Sequence, residues 1–131
     1  MRVIEATGLV AVGGILGASL RYGLGAVSGE GLAVTMAVNA SGSFLLGMLL
    51  LATYTIGAVA SRVRLVLGTG FCASFTTYST FIADIASASA GLATAYLVGS
   101  YGLGFAGVLA GRRCIRALDL DSVDPPPDGD P

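Results

Sequence analysis

Six side chains able to make hydrogen bonds, Ser74, Thr76, Thr77, Tyr78, Ser79 and Thr80, fall within seven residues of an otherwise apolar stretch. Upstream, Thr35, Asn39 and Ser43 recur at i, i+4 and i+8, which places them on one helical stripe. Downstream, Tyr96, Ser100 and Gly104 repeat the same spacing. Nearly all of these groups are donors without formal charge. An asparagine amide offers two N–H bonds and each hydroxyl offers one. The ring edges of Tyr78, Phe81 and Tyr96 add the positive end of the aromatic quadrupole. A path of neutral donors and ring edges suits a small anion better than a cation. A carrier of organic cations would want a carboxylate among its apolar segments. Asp84 is the one candidate, and it lies near the end of its stretch.

Other chemistry is excluded by what is missing. The chain has no His, no Trp and no Lys, and no two acids share an apolar segment. Cys72 and Cys114 match no metal or redox spacing. Hydrolytic and metal-centred catalysis therefore lack their groups, and the chain is not read as an enzyme. A net charge of −1 points to no nucleic-acid partner.

The elements that must hold these residues follow from hydropathy. Of 131 residues, 54% are hydrophobic and 11% charged, against about 25% charged in soluble domains. The composition is that of an integral membrane protein. A membrane-spanning helix needs about 20 mostly apolar residues. Thr7 to Val27 supplies one, interrupted by Arg21, and Gly31 to Ser61 supplies a second without charge. The first reads as a span and not as a secretory signal, because no small-residue cleavage site stands before a polar domain. Leu65 to Gly111 would run roughly 70 Å as one helix, far beyond the ~30 Å hydrocarbon core. It must fold back, and the small-residue run Ser87 to Gly91 is the place for the turn.

The result is an all-α membrane domain over residues 1–116 with four spans, about 6–28, 32–57, 63–87 and 91–111. Residues 117–131, acidic and rich in proline, read as a disordered cytoplasmic tail. Four spans put Arg2, Arg62, Arg64, Arg112, Arg113 and Arg116 on one side, leaving Arg21 for the other. The positive-inside rule then predicts a multi-pass cell-membrane protein with both termini cytoplasmic.

The hydroxyl-rich run in the third span admits two readings. β-branched and hydroxyl residues at this density disfavour a regular helix. An interruption near the midplane would free backbone groups of the kind that bind ions. The other reading is a continuous helix whose Ser and Thr hydroxyls bond i−4 carbonyls. Gly13 with Gly17, and Ser43 with Gly47, are small-xxx-small pairs that let helices approach closely.

Three ordered motifs resemble the CrcB/Fluc fluoride channel family over residues 8–111. They are Gly13-Gly14-Ile-Leu-Gly17-Ala-Ser-Leu-Arg21-Tyr22, Val38-Asn39-Ala-Ser-Gly42-Ser-Phe-Leu-Leu-Gly47, and Gly70-Phe-Cys-Ala-Ser-Phe-Thr76-Thr77-Tyr78-Ser79-Thr80-Phe81. Tyr96-x-x-x-Ser100 with Gly111 fits the fourth span. The resemblance implies an antiparallel dimer of four-helix subunits, with the third helix broken at the midplane. Fluoride would pass through narrow pores at the interface down its own gradient, relieving fluoride toxicity. It assigns pore contacts to Asn39, Tyr78, Ser79, Thr80, Phe81, Tyr96 and Ser100, and vestibule positions to Arg21 and Asp84. It also implies a structural sodium ion at the dimer interface, held by the backbone carbonyls of Ala73 and Thr76. Three departures stand out: Tyr78 where the family has Phe, Ala73-Ser74 where it has glycines, and Gly104 where it has a hydroxyl.

Dual insertion of a homodimer needs little arginine bias, whereas this chain is strongly biased. A fixed topology follows, with an oppositely oriented homologue as partner in a heterodimer. Two alternatives remain at this point: a small four-helix proton-coupled multidrug-type exporter working through Asp84, and a non-conducting partner subunit of a heterodimeric channel. Arg21 could bias the field of the vestibule or snorkel to the interface. Asp84 could pair with Arg21 or simply end its span.

Overall fold

The computed structural model describes residues 2–29, 31–53 and 61–121. Among them the chain is entirely helical, and four helices are long and apolar enough to cross a bilayer. Helix is what hydrocarbon demands of such a sequence, because every backbone group must find its partner within the segment. The first helix, α1, is Val3–Ser28, and α2 is Leu32–Ala52. Gly29 (φ 80°) and Gly31 (φ 151°) make the turn between them, in a region of backbone space that favours glycine.

The third span, Ser61–Ser87, has two arms. The first, α3, covers 61–75 and is π-helical over Arg64–Cys72; the second, α4, is Tyr78–Ser87. Between them Thr76 (φ −74°, ψ 158°) and Thr77 (φ −139°, ψ 121°) are extended. Ala88 is extended in turn and reverses the chain into α5, Ala90–Asp121.

Two parallel helix pairs make the bundle, each zipped by glycine. In the first, α1 lies on α3: a Cβ on Gly13 would sit 1.9 Å from the Val66 carbonyl oxygen, and one on Gly17 would sit 2.3 Å from that of Phe71. In the second, α2 lies on α5: Gly47 meets Val108, and Gly111 meets Phe44 and Met48. Backbones this close gain dispersion contacts that larger residues would forbid. The outer surface is apolar, with Val12, Ile15, Leu16, Val98 and Leu109 all exposed, as a face in contact with lipid requires.

One end of the bundle is tied by arginine. Arg64 Nε donates to Thr53 Oγ1 and Nη2 to the Thr53 carbonyl, both at 3.0 Å. Thr53 caps the C-terminus of α2, where a cation complements the helix dipole. Arg62 pairs with Glu5 at 2.9 Å, joining the start of the third span to the first turn of α1. That pair is exposed, so it contributes roughly 0–1 kcal/mol.

The sequence reading carries the second span to residue 57, and 54–60 lie outside the described residues. One boundary differs from that reading: the tail is expected from residue 117, yet α5 stays helical through Asp121. Residues 117–121 include Ala117, Leu118 and Leu120, good helix formers, and the first proline is Pro125. Residues 122–131 lie outside the described residues.

Candidate functional site

The residues singled out by their chemistry converge on the extended pair Thr76–Thr77. In an unbroken helix the Thr77 N–H would donate to the carbonyl of Ala73. Here it donates to Asn39 Oδ1 at 2.8 Å, and Asn39 Nδ2 donates to the Thr77 carbonyl at 3.0 Å. One side-chain amide thus binds both poles of one residue's backbone. Buried backbone groups are rarely left unpaired, so the amide of α2 replaces the helical bonds that the extended residues give up. One N–H of Nδ2 remains beyond this clamp.

Neighbouring groups complete the arrangement. Thr76 Oγ1 donates to the Cys72 carbonyl at 2.9 Å, the i−4 bond of the continuous-helix reading, at the point where α3 stops. Thr77 caps α4: its Oγ1 accepts the Thr80 N–H at 3.2 Å and donates to Thr80 Oγ1 at 2.9 Å. The carbonyls of Ala73 and Thr76 are thereby released from their i+4 partners, since the N–H groups of Thr77 and Thr80 bond elsewhere. Arg21 Nε reaches the Ser74 carbonyl at 3.2 Å. Gly42 makes room for this on α2, since a Cβ there would lie 2.3 Å from Thr76 Cγ2.

Two cavities flank the clamp. The first, about 470 Å³, is lined by Asn39, Thr76, Tyr78, Phe81, Ser100 and Tyr101 among others. The second, about 710 Å³, is lined by Arg21, Thr35, Ser79 and Thr80 among others. Thr77 lines both. Phe81, buried, is the hub of the aromatic cluster. Its ring centre lies 5.9 Å from that of Tyr78, 5.2 Å from Tyr96 and 6.1 Å, edge-on, from Tyr101.

The structure therefore distributes the sequence-derived residues. Asn39, Ala73, Thr76, Tyr78, Phe81 and Ser100 share the first cavity; Arg21, Ser79 and Thr80 share the second. Tyr96 is buried against Phe81, and its hydroxyl donates to Asp84 Oδ2 at 3.1 Å. Asp84 is held by Tyr96 and Arg21 by Ser74, so these two ions do not pair with each other. Ser100 Oγ is buried beside the Tyr96 hydroxyl, without a hydrogen bond of good geometry among the described residues.

Two participants were not assigned a role from sequence. In the sequence Thr77 is one hydroxyl of a run, although Thr is among the favoured N-cap residues. Tyr101 lies outside the Tyr96–Ser100 stripe, and no local pattern marks it. Among the described residues no three His, Cys, Asp or Glu side chains gather as a metal site. Thr77→Val should remove the cap and cost about 1 kcal/mol. Unfolding of the detergent-solubilised protein by SDS would read this, and Thr77→Ser should restore stability.

The family described as "CrcB-like protein, Camphor Resistance (CrcB)" matches residues 8–112. A Haloarcula marismortui protein named "Fluoride-specific ion channel FluC 1" is 47% identical over 113 residues, covering 86% of this chain and 87% of its own. A Natronomonas pharaonis protein of the same name is 44% identical, covering 86% and 95%. "Fluoride-specific ion channel FluC 2" of Bacillus subtilis is also 44% identical, covering 79% and 86%. With four membrane-length helices and a family match spanning most of its length, the chain is a multi-pass membrane protein and belongs to the CrcB family.

Proposed function

We propose that this chain is a subunit of a fluoride-selective channel that lets fluoride leave the cell passively, down its electrochemical gradient, and so relieves fluoride toxicity. The observation that carries this is the Asn39–Thr77 clamp between two cavities, the first offering only uncharged donors and the second adding Arg21 to its hydroxyls. The names of the relatives supply the ion. Fluoride is small and strongly hydrated, so conduction needs closely spaced donors that replace its water without holding it too tightly. The spare N–H of Asn39, the Ser100 hydroxyl and the ring edges of Tyr78 and Phe81 supply these in the first cavity. Ser79 and Thr80 supply hydroxyls in the second, beneath the positive charge of Arg21. Tyr96, whose O–H is committed to Asp84, contributes its ring edge. In this reading the extended pair lies near the bilayer midplane, and Arg21 and Asp84 belong to the vestibule.

Tyr78 is 69% exposed although it lines a cavity. A pore ring left open on one side calls for a second subunit to enclose it, and an antiparallel dimer would do so. The released carbonyls of Ala73 and Thr76 suit a hard monovalent cation, and two subunits would offer four such oxygens to one interfacial sodium ion. The six arginines at one end favour a single orientation in the plasma membrane, both termini cytoplasmic. The partner is then an oppositely oriented homologue. Relatives numbered FluC 1 and FluC 2 are in keeping with paired subunits.

The test is efflux from liposomes followed with a fluoride electrode. The chain reconstituted with an oppositely oriented homologue should release fluoride far faster than chloride, and the chain alone should release little. Equal rates for the two ions, or no fluoride release with any partner, would overturn the reading. Cysteine-accessibility mapping should place at least nine in ten copies with both termini inside. Equal insertion both ways would refute the heterodimer.

A further inference from the structure

We infer that the end of α5 carries a binding site for an anionic phospholipid, formed by Arg112, Arg113 and Arg116 above the exposed face of Leu109. Arg21, Arg62 and Arg64 each bond within the protein. Arg112, Arg113 and Arg116 are exposed, and none of them bonds any of the side chains described, which end at Leu118. They lie within five consecutive residues, about 6 Å of helix rise.

Their depth and direction select the ligand. From Ala90, the ~30 Å hydrocarbon core uses about twenty residues of α5, which brings Arg112 to the level of the lipid headgroups. Gly107 and Gly111 face α2, against Ala40, Phe44 and Met48. Leu109, Arg113 and Arg116, at i, i+4 and i+7, share the opposite face, and Arg112 flanks it. Val98 (64% exposed) and Leu109 (55%) continue that face downward as bare apolar surface. A ligand fitting both halves carries a phosphate above and acyl chains below. The guanidinium fork matches phosphate oxygens two at a time, which an ammonium cannot do. A free phosphate would use only the upper half, and a zwitterionic lipid would bring its own cation to the cluster. The occupant is therefore a phospholipid with net negative charge.

Each arginine near an anionic lipid surface is worth roughly fivefold in affinity, or about a hundredfold for three. The purified detergent-solubilised protein would be titrated with phosphatidylglycerol, with phosphatidylcholine of the same acyl chains, and with glycerol 3-phosphate, and bound species counted by native mass spectrometry. The wild type should retain phosphatidylglycerol over phosphatidylcholine, and glycerol 3-phosphate should neither bind comparably nor displace it. The R112Q/R113Q/R116Q variant should bind phosphatidylglycerol about a hundredfold more weakly, with phosphatidylcholine unchanged. The R112K/R113K/R116K variant, which keeps the charge that directs insertion, should fall between the two. Retention of phosphatidylglycerol by both triple variants at the wild-type level would overturn the proposal, as would comparable binding of glycerol 3-phosphate. Fluoride conduction does not enter the readout, so failure here would leave the channel reading standing.

Discussion

Asn39→Asp is expected to cut fluoride efflux at least a hundredfold. Two effects act in the same direction. The carboxylate replaces a neutral donor on the wall of the first cavity, and like charges about 4 Å apart repel by roughly 4 kcal/mol at an effective dielectric of 20. That alone corresponds to about a thousandfold in occupancy. The aspartate can still accept the Thr77 N–H, but it has nothing to donate to the Thr77 carbonyl, which loses its 3.0 Å bond. Leaving that oxygen unpaired costs about 1–3 kcal/mol more. Asn39→Ala separates the effects, since it removes the clamp without adding charge. It leaves both poles of Thr77 unpaired, so it should lower stability by more than the aspartate variant yet conduct better than it. Efflux by Asn39→Asp within tenfold of wild type, measured with a fluoride electrode, would sink the assignment of Asn39 to the ion path.

The second large effect concerns assembly of the bundle. Gly13→Ala should destabilise the fold by more than about 3 kcal/mol. Overpacking by a single methyl group often costs 1–3 kcal/mol when side chains can give way. Here the nearest atoms are Val66 O at 1.9 Å, Val66 C at 2.8 Å and Phe71 N at 2.9 Å. All are backbone, so α1 and α3 would have to separate. Gly23→Ala and Gly102→Ala are the matched controls, because nothing lies within 4 Å of a Cβ at either position. Alanine is the better helix former by about 1 kcal/mol, so these two should be neutral or stabilising. Thermal melts in detergent, followed by circular dichroism, should therefore fall for Gly13→Ala and hold or rise for the two controls.

Much of this architecture is legible in the residues. Charge scarcity and the lengths of the apolar runs fix four helices. The small-residue run after Ser87 marks a chain reversal that the structure makes at Ala88 and Ser89. The hydroxyl run Ser74 to Thr80 brackets the two extended residues, because Ser and Thr offer the backbone bonds that compete with helix. The bond between Asn39 and Thr77 is not legible, since the two lie 38 residues apart and nothing local in either segment names the other. The Tyr96–Asp84 bond is hidden for the same reason, and it redirects an acid that sequence alone would pair with Arg21 or leave at a span end. Tyr101 escapes because aromatic packing around Phe81 depends on how α4 meets α5. Periodicity shows which side of a helix is polar; it does not show which neighbour that side will meet.

Thr77 lines both cavities while its backbone is held at each pole by the same amide. Thr77 is thus part of the wall of both chambers, and its peptide unit is pinned. In the channel reading proposed above, a wall pinned in this way would pass an ion without a moving part. Selectivity would then be static, written into the spacing of donors on either side of one peptide unit. Its natural failure would be leakage through a widened wall, with no lid to be caught open or shut.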